Sequence, residues 1–548
     1  MSEVTSDPTA AQARAAAGRS VRDASFDVMR RYGMTTIFGN PGSTEIPFLA
    51  GLPDDLEFVL GLHEGVVVGM AIGYAVARGE PSFVNLHTAP GLGNAVNMIA
   101  AARDNRAPLV IVVGQQDRRH LDLAPFLTGR ALERLAGEYP VWSTFPVRPQ
   151  NVPGAIARAW HEAKTGRGPA LVVVPVGDWD EPADDESPSG GAPARLLRAP
   201  LVDPAGLDEL VDLVEQSEAP ALVAGAGADD PAGWAALSAL AERLGCPVWQ
   251  EPFASRAGFP QDHPLFAGAL HWRRSLLREA LAPHDLVLAV GTHAFRMYLY
   301  EPGRLLEPDT KLAVITDVAE EAHRSPCDLA LLAPPATACT ALAERLEQRA
   351  GEPPEPFRRP GPLAPPAPGE PLRAAHVLAA LAERLPPDAV LVEESPSSRP
   401  ELMARVPTRA PLGFVSAANG SLGFGLAGSI GLRMGLPERP VLAVLGDGSS
   451  MYAIQALWSA AHYRVGVLLL VLSNGGYAVM DQLAAEHGGA GAWPGFGAID
   501  FRALAKGLGC PARRIERHDE LLSELDRQIP DLASRSEPLL LEIVVAPD

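Results

Sequence analysis

Cysteine and positive charge are scarce in this chain, and a long apolar run is missing. Four of its 548 residues are cysteines, Cys246, Cys327, Cys339 and Cys510, and none stands in a C-x-x-C pair. That excludes a disulfide framework and fits thiols used as small apolar filler in a reducing compartment. Lys and Arg number 46 against 66 Asp and Glu, a net charge of −20. Nucleic-acid phosphates require clustered cations, so a nucleic-acid partner is not expected. A small anionic substrate is still compatible, because a local site can oppose the global field. No stretch reaches about 18 apolar residues without a charge or a breaker, so no membrane span is expected. Residues 1–20 are rich in Ala but carry Glu3, Asp7, Arg14 and Arg19, with no apolar segment. They read as a disordered tail and not as a signal peptide, and a cytoplasmic location is expected.

The length exceeds what one core usually supports, and about three domains follow. Two breaks divide the chain: residues 184–191, rich in Asp, Ser and Gly, and the proline-crowded linker 351–371. The expected domains are 21–183, 200–350 and 372–548. Each alternates short apolar runs with helical patterns. The runs are 36–39, 57–60, 82–86 and 109–113, then 221–224, 286–290 and 312–315, then 441–445, 467–472 and 539–545. Runs buried on both faces and separated by helices indicate α/β architecture, here three doubly wound parallel-sheet domains. Ligands then bind beyond the carboxyl ends of the strands.

The sharpest motif is Gly446-Asp447-Gly448-Ser449-Ser450, directly after one apolar run. A helix-like stretch follows, then a second run that ends in Ser473-Asn474-Gly475-Gly476-Tyr477. Asp447 and Asn474 offer hard oxygen donors at the ends of two strands expected to be neighbours, a setting suited to Mg2+ bridging a diphosphate. A helix N-terminus after Gly448 would help to hold the anion. Taken alone, Gly-Asp-Gly is also an ordinary turn. Glu64, in Leu62-His63-Glu64-Gly65-Val66, opens an apolar helical stretch, and a carboxylate there also serves as a cap that favours the helix dipole.

Together these segments resemble the thiamine diphosphate (ThDP) enzymes. The resemblance implies a fold of pyrimidine, middle and diphosphate domains, with Asp447, the Asn474 side chain and the Gly476 carbonyl on Mg2+. It implies that Glu64 touches N1′ of the aminopyrimidine, so that the imino form of the 4′-amino group removes the thiazolium C2 proton. Low polarity around Glu64 would favour that proton sharing. In Ala418-Asn419-Gly420-Ser421-Leu422-Gly423-Phe424, Gly420 would present its carbonyl to the pyrimidine, and Leu422 would wedge between the two rings. Asn40, Pro41, Gly42, Ser397, Gly446, Gly448, Ser449 and Tyr477 would complete the cofactor contacts. Pyrimidine and diphosphate are held by different subunits in this family, which implies a homodimer or homotetramer with sites at subunit interfaces.

Within the family the chain is most similar to benzoylformate decarboxylases, above all in residues 38–48, and also in 85–89, 91–94, 114–116 and 500–507. By that resemblance Ser43 would bind the substrate carboxylate, and His87 would relay protons, a task suited to a side chain that titrates near neutrality. Tyr298 stands where the family has a second catalytic histidine, and a phenol, whose ordinary pKa is about 10, is a poor shuttle. His293 is a candidate to compensate. Phe126 and Leu127 keep an apolar wall, whereas Leu483 and Ser416 replace aromatic residues, so a pocket not shaped for benzoylformate itself is expected. The expected function is non-oxidative decarboxylation of a small-molecule 2-keto acid to CO2 and an aldehyde. A weakened relay would instead favour capture by a second carbonyl, giving a carboligase of acetolactate synthase type. A catalytically inactive ThDP-fold binding protein is the third reading. The turn 224–228 is glycine-rich, but a plain strand–helix turn is expected there, and FAD is not.

Overall fold

The structure is a computed structural model that describes residues 19–184, 193, 195–197, 199 and 201–547. Most of the expected tail, residues 1–18, and most of the first break, residues 185–191, lie outside the described residues. The chain forms two compact units. The first comprises Met1–Leu197 with Leu426–Leu436 and Ala453–Val465; the second comprises Arg198–Gly425, Pro437–Tyr452 and Gly466–Asp548.

The first unit is built on a six-stranded sheet: β1 (Thr36–Asn40), β2 (Glu57–Leu60), β3 (Ser82–Leu86), β4 (Leu109–Gln115), β5 (Trp142–Thr144) and β6 (Pro169–Pro175). Their order is β2-β1-β3-β4-β6-β5, all parallel. Strands β3, β4 and β6 are buried along their whole length, as apolar strands covered by helices on both faces must be. Helix α1 (Glu64–Arg78) starts on a cap from the His63 ring, which accepts the Gly65 N–H, and stops at Gly79 in the left-handed conformation. Helix α2 (Thr88–Asp104) follows β3 directly.

Two short approaches seat α1 against Leu426–Leu436. A Cβ at Gly73 would lie 2.0 Å from the Gly428 carbonyl oxygen, and one at Gly431 would lie 1.8 Å from that of Met70. Only glycine permits backbones this close. Nearby, the Tyr463 hydroxyl accepts the Leu60 N–H at 2.7 Å, and Ser459 donates to the Leu60 carbonyl at 2.9 Å. The chain leaving β2 is therefore fixed just before it reaches Glu64.

The second unit holds two further parallel sheets. One consists of β7 (Pro220–Ala224), β8 (Val248–Gln250), β9 (Phe266–Ala269), β10 (Leu286–Val290), β11 (Lys311–Thr316) and β12 (Leu329–Leu332), in the order β12-β11-β10-β7-β8-β9. The other consists of β13 (Val390–Glu394), β14 (Phe414–Ser416), β15 (Val441–Gly446), β16 (Leu468–Ser473), β17 (Ala512–Ile515) and β18 (Leu539–Val544), in the order β14-β13-β15-β16-β18-β17. In the three sheets the winding direction reverses between β1 and β3, β7 and β10, and β13 and β15, and in the first and third it turns back once more at the edge pairs β6-β5 and β18-β17. In open parallel sheets that reversal leaves a crevice at the strand ends where ligands bind.

All ten expected runs are strands, and eight more complete the sheets. Six of the eight, β5, β8, β9, β12, β14 and β17, lie at or next to a sheet edge and are only three or four residues long. The other two were obscured by their ends: β6 has proline at both termini, and β13 finishes on two glutamates. Residues 351–371 form no helix or strand, yet they are anchored. Phe357 donates its N–H to the Phe266 carbonyl, and the Arg359 guanidinium donates to the carbonyls of Gln261 and Ala404.

Candidate active site

Each unit carries one cluster of functional groups beyond the carboxyl ends of strands at or next to a reversal. In the first, β1 ends on Asn40, α1 opens on Glu64, and β3 delivers His87 as the residue before α2. Glu64 is 9 % exposed, and both its oxygens are held by side-chain amides. Asn40 Nδ2 donates to Oε1 at 3.3 Å and Asn94 Nδ2 donates to Oε2 at 3.0 Å. The low polarity expected around this carboxylate is therefore corrected: two amide donors aim it. Gly91 leaves room for it, since a Cβ there would touch Glu64 Oε1 at 3.4 Å.

His87 is held by a partner that sequence reasoning did not single out. Its Nδ1 lies 2.9 Å from Glu45 Oε2 and 3.0 Å from Thr44 Oγ1. Glu45 is 1 % exposed; its Oε2 also accepts the Gly42 N–H at 2.7 Å, and its Oε1 accepts from Thr44 Oγ1. A carboxylate at Nδ1 fixes the ring tautomer and leaves Nε2 as the working nitrogen. Two glycines make the packing possible. A Cβ at Gly42 would meet His87 Nδ1 at 2.3 Å, and one at Gly114 would meet Glu45 Oε1 at 1.8 Å. Thr88, next to His87, sits at φ +27°, a conformation that β-branched residues avoid. Ser43 is exposed at the start of the short turn Ser43–Glu45, and Pro41 is exposed beside it.

The second unit brings Asp447, Asn474 and Gly476 together, and β15 and β16 are neighbours as expected. Asp447 is buried. Its Oδ1 accepts the Gly448 N–H and its Oδ2 the Gly475 N–H, both at 2.7 Å. Burial pushes its carboxyl above the ordinary range, and the Gly475 and Gly448 amides pull the other way. Asn474 Oδ1 accepts the Gly476 N–H at 3.0 Å, and a Cβ on Gly476 would meet open space. One buried carboxylate, one amide oxygen and accessible main-chain carbonyls form a hard-oxygen donor set, which fits Mg2+ and not a thiophilic metal. Among the described residues no three His, Cys, Asp or Glu side chains group into a metal cage. An ion here would therefore rely on the single carboxylate of Asp447, the amide, the carbonyl and its ligand's own oxygens.

The helix expected after Gly448 is shorter than anticipated. Residues Asp447–Ser450 form a single turn with Gly446 as its cap, and the longer helix begins only at Ala456. Ser449 is buried in that turn. A Cβ at Gly448 would lie 2.7 Å from the Tyr477 ring, which packs on Phe496 with centroids 4.9 Å apart. Ser397 Oγ accepts the Val479 N–H, tying the chain beyond β13 to helix Ala478–Glu486. In the 417–423 loop, Gly420 and Gly423 both adopt positive φ, and the Asn419 side chain accepts the Ser421 N–H. Leu422 is half-buried in this loop.

Ser416 is buried and bonded to Arg399 and the Ala254 carbonyl. Phe126 is 88 % exposed in the single chain. Leu483 is half-buried on helix Ala478–Glu486. Tyr298 is 47 % exposed, its ring set edge-on to Phe253 and to Trp272 at centroid distances of 6.4 and 5.5 Å. His293 is half-buried beyond the end of β10. The glycine-rich turn after β7 is packed by protein: a Cβ at Gly225 would strike Thr292 Cβ at 2.4 Å, and one at Gly258 would strike the Gly225 carbonyl at 2.3 Å.

Comparison with known proteins agrees with this geometry. Residues 19–135 match the thiamine pyrophosphate enzyme N-terminal TPP binding domain, 207–342 the central domain and 401–543 the C-terminal TPP binding domain. The chain is 37% identical over 531 residues to a benzoylformate decarboxylase of Pseudomonas aeruginosa, covering 96% of this chain and 98% of that one. It is 27% identical to an acetolactate synthase large subunit of Parasynechococcus marenigrum, covering 82% of this chain and 75% of the other. Among solved structures, the thiamine diphosphate-dependent 4-hydroxybenzoylformate decarboxylase of Rhodococcus jostii RHA1 superimposes with a TM-score of 0.91 at 33% identity, covering 96% and 99% of the two chains.

Proposed function

Because this chain belongs to the thiamine pyrophosphate enzyme family, we propose that it is a carboxy-lyase. It removes CO2 from a 2-keto acid without oxidation and releases the aldehyde. The observation that carries this reading is Glu64, a buried carboxylate aimed by two amides, one at the end of β1 and one from within α2. A chain that merely inherited the scaffold has no use for it. When bound, ThDP with Mg2+ supplies an electron sink for the carbon that loses CO2.

The protein's own groups do the rest. Glu64 holds a proton against the pyrimidine ring, with Asn40 and Asn94 fixing its direction. Asp447, Asn474 and the Gly476 carbonyl would hold the metal, and Gly446, Gly448, Ser449, Ser397 and Tyr477 would line the diphosphate end. Gly420 and Leu422 would contact the cofactor between its two ends. His87, with Nδ1 held by Glu45, keeps Nε2 ready to give or take a proton at the substrate oxygen. Ser43 binds the substrate carboxylate from its exposed turn, and Tyr298 donates a hydrogen bond where relatives use a histidine. The working domains are 21–183, 200–350 and 372–548. The enzyme acts as a homodimer or homotetramer in which Glu64 of one protomer faces Asp447 of its partner.

A second reading, carboligation, is favoured by Tyr298, since a phenol delivers a proton less readily than imidazole. A panel of aliphatic and aromatic 2-keto acids, incubated with protein, ThDP and Mg2+ and assayed for CO2, aldehyde and acyloin, tests both. CO2 with equal aldehyde supports the lyase, and acyloin in excess of aldehyde supports the ligase. Binding of ThDP without release of CO2 from any substrate would refute both.

A further inference from the structure

Strand β13 ends on two adjacent buried carboxylates, Glu393 and Glu394, and they are compensated in different ways. Glu393 pairs with the Arg399 guanidinium and accepts the Ser395 N–H at 2.7 Å. Among the described residues no Lys or Arg forms an ion pair with Glu394. Its Oε1 accepts the Gly423 N–H at 2.7 Å and its Oε2 the Gly425 N–H at 2.5 Å. The carboxylate thus grips the chain where it enters helix Phe424–Gly435, with the helix dipole favouring its charge.

This grip acts on a particular peptide. The Gly423 N–H belongs to the peptide unit whose carbonyl is that of Leu422, so holding it fixes the plane from which Leu422 projects. Gly423 at φ +95° turns the chain there. Gly425 lets the two segments close, since a Cβ on it would lie 2.7 Å from Glu394 Cβ. Glu394 also pairs in register with Leu445, two residues before Asp447, so one strand end braces the loop beside the metal-ligating turn. We propose that Glu394 is a positioning residue that holds Leu422, through the Gly423 and Gly425 amides, as the wedge that keeps bound ThDP bent. The inference rests on the ThDP reading above.

The test is Glu394→Gln, which keeps the shape but turns one acceptor into a donor facing an N–H. Three quantities are measured: ThDP affinity by calorimetry, hydrogen–deuterium exchange at C2 of bound ThDP, and the melting temperature of the protein without cofactor. A positioning role predicts exchange slowed by about tenfold or more, equivalent to ~1.4 kcal/mol of barrier, with little change in melting temperature. In a Leu422→Ala background the same substitution should slow exchange no further, because the two residues act as one unit. If Glu394→Gln fails to fold, Glu394→Asp, which reaches one amide but not both, takes its place in the same cycle. Exchange at the wild-type rate, or an equal loss with and without Leu422, would overturn the inference. Wild-type protein that binds no ThDP would overturn the cofactor reading as well, whereas normal binding with unmoved exchange defeats this inference alone.

Discussion

The two halves of the candidate site hold their carboxylates by opposite means. Glu64 is aimed by side chains, Asn40 and Asn94, brought from separate elements. Asp447 is aimed by main chain, the amides of Gly448 and Gly475. A main-chain cradle needs backbone to come close, so it leaves glycines in the sequence beside the acid. A side-chain cradle leaves only scattered asparagines. The first is rigid and cannot be dismantled one donor at a time; the second can.

This contrast can be broken most severely at its two acids, and they should fail differently. Glu64→Gln is expected to lower kcat by about 100- to 10,000-fold, the usual worth of a proton-transfer group, while sparing most ThDP affinity. Asp447→Asn should do the reverse, weakening ThDP binding by about tenfold or more, and a chelator should reproduce that loss in the wild type. Calorimetry beside CO2 release separates the two cases, and equal losses of both kinds at either site would erase the distinction. Within the first half, Glu45→Gln should cut kcat by up to about 100-fold and distort its pH profile, because an amide no longer fixes the His87 tautomer. A profile of wild-type shape would remove Glu45 from the relay.

The side-chain cradle should then come apart in steps. Deleting a hydrogen bond to a charged group costs about 1.5–3 kcal/mol, so Asn94→Ala should slow turnover roughly tenfold or more. Asn40→Ala, across the longer 3.3 Å contact, should slow it less. No effect of either would mean that Glu64 is aimed by something else. The smallest change lies outside both halves. Burial raises Asp229 to about 6, and both its oxygens accept the Leu412 N–H. Its folded pKa exceeds its unfolded value, so the stability it contributes is complete below the unfolded value and is lost as pH rises through about 6. Asp229→Asn should flatten melting temperature against pH across that interval, and an unaltered slope would disprove the assignment.

How much of this was legible in the sequence follows from the same contrast. The Gly446-Asp447-Gly448 turn and Asn474 could be read because glycines stand beside each group at a strand end, Gly448 donating to Asp447 and Gly476 to Asn474, although the Gly475 donor to Asp447 lies 28 positions away. Glu45 could not: its meaning comes from His87, 42 positions away, and from a Gly42 that resembles a simple turn former. Glu394 was hidden because a strand ending in two acids looks too polar to be buried. The long central strands announced themselves by unbroken apolar runs, whereas most three- and four-residue strands at or next to an edge, β2 excepted, carry too few side chains to form a pattern.

The proposal that one protomer's Glu64 serves its partner's Asp447 has a direct test in subunit complementation. Glu64→Gln and Asp447→Asn proteins, each nearly inactive, are co-expressed and the mixed oligomers assayed for CO2 release. Random pairing into twofold dimers gives mixed pairs with one intact site each, so about a quarter of wild-type activity should return. A mixture as inactive as its two parents, with mixed oligomers demonstrably formed, would contradict the account.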